Sequence, residues 1–164
     1  MLDRTAREEF SSASTSPAHP APDRAAAGAA REALWLLARC LIGGIFVQSG
    51  FGKLLALGAF AASLAKNGVP APEAMAVIGA VTEFCGGLAI VVGFKTRPAA
   101  LVMIAFTITA TLISHRFWEL QDVARRQQSV QFAKNLAILG AFLLLLVQGG
   151  GRFSFDGWRR RRGR

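Results

Sequence analysis

Apolar residues in this chain gather into four long runs separated by short polar links. The runs predict helices over about Ala33 to Leu57, Glu73 to Phe94, Pro98 to Phe117 and Phe132 to Gln148. Each is long enough to cross a hydrocarbon layer roughly 30 Å thick. Residues 58–72 hold Gly68, Pro70 and Pro72 and read as a loop or re-entrant turn. Residues 119–131, ELQDVARRQQSVQ, read as a short surface helix or loop. Residues 1–30 are rich in Ala, Pro and Ser and show no apolar face, so a disordered tail is expected there. No charged-then-apolar leader pattern occurs at the start, so the tail is expected to be retained. The pattern predicts an all-α, four-helix, up-down transmembrane bundle over 31–155, followed by a basic tail over 156–164.

Two faces stand out. On the first helix Arg39, Gly43, Phe46, Gly50 and Lys53 share one side, with Gln48 turned away. On the second, Glu83 lies among Ala76, Gly79, Ala80, Gly86 and Gly87. Small residues let helix backbones approach closely in a membrane, so Glu83 is expected to face protein rather than lipid. A charge at mid-depth costs about 2.5–3.5 kcal/mol on insertion scales, while each large apolar side chain returns only about 0.3–0.6 kcal/mol. The charges therefore need partners or shallow positions. Arg39 lies roughly 10 Å in from one face and Glu83 roughly 13–15 Å in from the other, at 1.5 Å per residue. An Arg39–Glu83 ion pair is the expected solution. Lys53, His115, Lys134 and Asn135 fall at the opposite end of the bundle. They are expected to form a polar cluster with Glu83 as its floor, suited to a ligand or a proton. The competing reading is that these groups join helices and snorkel to the interface.

Composition sharpens the class. Of 164 residues 52% are hydrophobic and only 18% charged, well below the quarter or so usual for soluble domains. The net charge of +9 would suit nucleic acid, but six of the nineteen basic residues lie after Gly151. A basic tail beside a membrane helix sets topology and touches anionic lipid, so nucleic acid is set aside as a partner. Twelve basic residues flank one side of the bundle and four the other. The positive-inside rule then places both termini in the cytoplasm. Cys40 and Cys85, the two cysteines, come to similar depths, which leaves a redox pair open. Thiols held away from water nevertheless behave as inert small hydrophobes. No CxxC or other metal spacing occurs.

Five motifs follow one another in order: Arg39 with Gly43, Gly50 and Lys53; Glu83 with Gly86 and Gly87; Gly93, Phe94, Thr96 and Arg97 to Ala100; His115 with Phe117 and Trp118; and Lys134, Asn135, Leu136 and Gly140. Together they resemble the DoxX family of small four-helix membrane proteins, over about residues 33–155. The closing Ser154-Phe155-Asp156 also looks like the family's ending. The resemblance implies a redox-associated membrane subunit, quinone- or thiol/sulfur-linked, working beside a soluble redox enzyme. Many members carry a histidine near the position of Gln48. With Gln48 here, His115 is the one histidine in the bundle, which excludes bis-histidine haem and argues against a histidine-rich metal site. No GxGxxG follows a strand pattern, so no flavin or nicotinamide signature is present.

The expected function is a DoxX-like integral inner-membrane protein associated with redox chemistry, with quinone as the candidate cofactor. Glu83, Lys53, His115, Arg39, Asn135 and Lys134 are the candidate ligand or proton residues, and no metal is assigned. The alternatives are a non-enzymatic anchor or assembly partner of a soluble oxidoreductase, and a small-solute transporter, for which four helices would need a homo-oligomer. The sequence holds no self-sufficient redox centre, so autonomous catalysis is not assigned. The expected partner is the lipid bilayer, with a soluble redox enzyme and further copies of the chain as candidate partners.

Overall fold

The computed structural model describes residues 22–163, with side chains from residue 26. Helix α1 runs Pro22–Leu55, α2 Leu57–Lys66, α3 Pro72–Val92, α4 Thr96–Ser114, α5 Asp122–Gln148 and α6 Phe155–Arg162. A single 3-10 turn, Phe117–Glu119, lies between α4 and α5. All the regular structure among the described residues is helical. The chain divides after Ala30, and Arg31–Arg164 forms the bundle.

Among the described residues four helices are long and apolar enough to span a membrane: Ala26–Leu55, Pro72–Val92, Thr96–Glu119 and Asp122–Gln148. Large apolar side chains such as Leu41, Ile45, Val77, Leu101 and Leu144 are exposed on them. In water that surface would drive aggregation; in lipid it is the solvated face. Inside, Phe46, Ile90, Ala100, Met103, Ile138, Phe142 and Leu145 form the core. The contacts fix an antiparallel order. Along α1, Gly43 meets Gly87 and Gly50 meets Phe84, so α3 runs the opposite way. Thr111 and Asn135 bond across α4 and α5, while Arg97 reaches Val147 at their other end. The up-down bundle expected from the apolar runs is the fold observed.

Several boundaries differ from the sequence reading. Helix α1 begins at Pro22 rather than near Ala33, because the Ala-rich stretch after Pro22 favours helix. The rest of the expected disordered tail, residues 1–21, lies outside the described residues. Residues 58–72, expected to form a loop or re-entrant turn, hold all but the first residue of α2. Its Ala61 and Leu64 pack on Ala76 of α3, with Leu57, Phe60, Val69 and Ile113 around them. The polar stretch 119–131 largely continues into the transmembrane helix as the first turns of α5. The basic tail forms α6, which Ser154 caps by accepting the Gly157 amide at 2.9 Å.

The α3–α4 link is tight for a definite reason. Gly93 takes a left-handed conformation (φ 72°), and the Gly93 and Phe94 amides bond back to Ala89, a common way to end a helix. Lys95 is also left-handed (φ 43°). Two such residues within three reverse the chain, and Pro98 fits the first turn of α4, where its missing N–H is not needed.

Candidate functional site

The polar groups of the bundle fall into separate sites. The first lies at the end of α1. Lys53 sits in the last turn, where the helix dipole favours a cation. Its ammonium donates to Glu83 Oε2 on α3, forming an ion pair. The Glu83 side chain is 5% exposed and that of Lys53 32% exposed, so the carboxylate is enclosed and the ammonium opens outward. Phe60 of α2 lies beside the pair, its ring centroid 5.1 Å from Lys53 Nζ. Gly79, one turn before Glu83, lies beside that ring. Three elements therefore meet at one charged pair.

The expected Arg39–Glu83 pair is not formed. Arg39 and Lys53 are separated by roughly 20 Å along α1, at 1.5 Å per residue. The glycine contacts set the α1–α3 register so that Lys53, not Arg39, reaches Glu83. Arg39 is instead completely buried at the opposite end of the bundle. Its Nη2 donates to the Phe153 carbonyl oxygen, and Nε and Nη1 have no partner among the described residues. The guanidinium and the Ser154 side chain both lie against Gly93, where a Cβ would collide with them.

The segment over Arg39 is tied down by a set of long-range bonds. Trp35 Nε1 donates to the Gly149 carbonyl at 3.0 Å, and the Arg152 amide donates to Glu32 Oε2 at 2.6 Å. Asp156 accepts from the Lys95 amide at 2.8 Å and from the Thr96 amide and hydroxyl at 2.7 and 2.9 Å. Its own amide donates to the Gly93 carbonyl at 3.0 Å. Burial opposes ionisation of Asp156, but the Thr96 and Lys95 bonds and the charge of Arg160 outweigh it, holding the carboxyl below its usual range.

The remaining candidates divide between a seam and the surface. Asn135 Nδ2 donates to Thr111 Oγ1 at 2.8 Å, and that hydroxyl donates to the Thr107 carbonyl. His115 Nδ1 and Gln128 Oε1 are 2.7 Å apart. The Asn135–Thr111 and His115–Gln128 bonds join α4 and its C-terminal end to α5. Lys134 is exposed and bonds Gln131 on its own helix. Direct bonds among the candidates thus unite Lys53 with Glu83 and leave His115, Asn135 and Lys134 with other partners. Gln48 is exposed, as its helical position indicates. Cys40 and Cys85 are free and lie on the outer surface rather than in the core. Among the described residues no three His, Cys, Asp or Glu side chains converge for a metal.

Sequence reasoning missed the roles of Glu32, Trp35, Thr96 and Asp156. The available signals were Ser154 three residues before Gly157, a capping arrangement, and an aspartate facing a link that lacks its own helix cap.

The DoxX family model matches residues 34–116, which include Arg39, Lys53, Glu83, Thr96 and His115. The chain is 38% identical to "Inner membrane protein YphA" of Escherichia coli (strain K12) over 129 residues, covering 79% of this chain and 92% of the relative. The chain belongs to the DoxX family. A second DoxX relative, "Inner membrane protein YqjF" of the same organism, is 37% identical over 121 residues, 74% of this chain and 88% of its own length. No solved structure matches this DoxX protein.

Proposed function

We propose that this DoxX protein is a redox-associated subunit of the inner membrane, with a quinone headgroup held at Lys53 and Glu83. The names of its two relatives support the location. The observation that carries the site is the ion pair itself. An ionisable pair among transmembrane helices is costly, and such groups mark ligand or proton paths. The partly exposed Lys53 ammonium would donate to a quinone carbonyl oxygen, and Phe60 offers a ring face beside it. Glu83 would relay protons. Reduction to quinol takes two protons and two electrons, and the electrons would come from a soluble oxidoreductase docked on the membrane. The excess of basic residues at the Arg39 end supports cytoplasmic termini.

Closure of the pair favours a second reading. Each charge already neutralises the other, which also suits a non-enzymatic anchor for a soluble enzyme. Mass spectrometry of organic extracts from protein purified in mild detergent separates the two. A stoichiometric quinone that is absent from Glu83→Gln supports the first. A co-purifying oxidoreductase with no quinone in either sample supports the anchor.

A further inference from the structure

A cleft of about 430 Å³ opens where the start of α4, the end of α5 and α6 meet. We propose that it binds the phosphate of an anionic phospholipid headgroup. Four cationic side chains line it: Lys95, Arg97, Arg159 and Arg160. Its one carboxylate, Asp156, already accepts three bonds from Lys95 and Thr96. Four positive charges against one negative leave the field positive, and guanidinium groups match phosphate oxygens in planar, two-point contacts. Arg97 is oriented by donating to the Val147 carbonyl at 2.9 Å. The Gly149 and Gly150 backbone completes the wall without side chains.

The location selects lipid over a phosphate free in water. The cleft lies between the first residue of one span, Thr96, and the last of another, Gln148, so it opens at the membrane boundary. Beside it Phe94, Phe155 and Trp158 are exposed and packed in a row, the first pair edge-on and the second tilted, with centroid separations of 5.4 and 5.5 Å. Exposed aromatic rings of this kind settle at headgroup level. They would hold α6 in the interface, its arginines at the depth of the phosphates. Exposed Val147 offers an apolar flank for an acyl chain.

The test is native mass spectrometry of the full chain in detergent, titrated with phosphatidylglycerol or with phosphatidylcholine of the same acyl chains. Phosphatidylglycerol is expected to bind in preference. The variant Arg159→Gln with Arg160→Gln is expected to lose that binding roughly tenfold. Arg125→Gln with Arg126→Gln removes the same charge from the exposed start of α5 and is expected to change nothing. Lys95→Asn gives an independent second variant, because asparagine tolerates the left-handed backbone there. Equal binding of both lipids would overturn the proposal. So would an equal loss in the two arginine variants, which would mean diffuse attraction. Displacement of the lipid by millimolar inorganic phosphate would overturn it in favour of a soluble-anion site.

Discussion

Gly43 on α1 and Gly87 on α3 face each other so closely that neither tolerates a side chain. A Cβ on Gly43 would lie 2.8 Å from the Gly87 carbonyl oxygen, and one on Gly87 would lie 2.9 Å from the Gly43 carbonyl oxygen. This contact sets the register of the two helices, and the register decides which cation Glu83 meets.

Gly87→Ala is therefore expected to destabilise the bundle by about 1–3 kcal/mol, since the obstruction is backbone that cannot rotate away. Gly44→Ala, next to Gly43 but with nothing within 4 Å of its added carbon, is expected to be neutral or slightly stabilising. Thermal unfolding in detergent compares the two; equal losses would remove the register argument.

The Lys53–Glu83 pair predicts non-additivity. Lys53→Met leaves a buried carboxylate alone, as Glu83→Gln leaves the ammonium. Each single change is expected to cost about 1–3 kcal/mol, below the 3–5 of a fully enclosed pair because Lys53 is partly exposed. The double variant is expected to cost less than the two together. Strict additivity in a double-mutant cycle would mean that the pair contributes nothing to stability.

Asp156 gives a pH signature. Its carboxyl is held below the ordinary value near 3.8. The stabilisation is fully present above that unfolded-state value and disappears as pH falls through the lower folded-state value. The melting advantage of the native protein over Asp156→Asn is expected to be constant from about pH 8 to 5 and to shrink below about pH 4. An advantage that grew on acidification would contradict this sign.

Cys40 and Cys85 lie outside the core, so Cys40→Ala with Cys85→Ala is expected to shift stability by under about 0.5 kcal/mol. A lost redox phenotype in this folded variant would assign the thiols a role.

The helices and the inward face of Glu83 were legible because periodicity reports which side of a helix meets protein. Depth alone, by contrast, does not fix register. Arg39 was long enough to reach for Glu83 on paper, but the Gly43–Gly87 and Gly50–Phe84 contacts carry it to the other end. Helix α2 was hidden behind Gly68 and Pro70, which punctuate its end rather than interrupt it. The Asp156 lock was illegible for another reason. It joins residues sixty apart through backbone amides, and backbone donors leave no trace in a side-chain pattern.

Arg39 and its acceptor Phe153 are separated by 114 positions. During synthesis α1 enters the membrane with its guanidinium long before that carbonyl exists. Until the last segment arrives, Arg39 must reach back to the interface for water or lipid phosphate. The final residues thus act late in assembly: they withdraw a charge from the membrane surface and seal it inside. A chain stalled or cut before Phe153 would keep four spans but leave the Arg39 guanidinium without that acceptor.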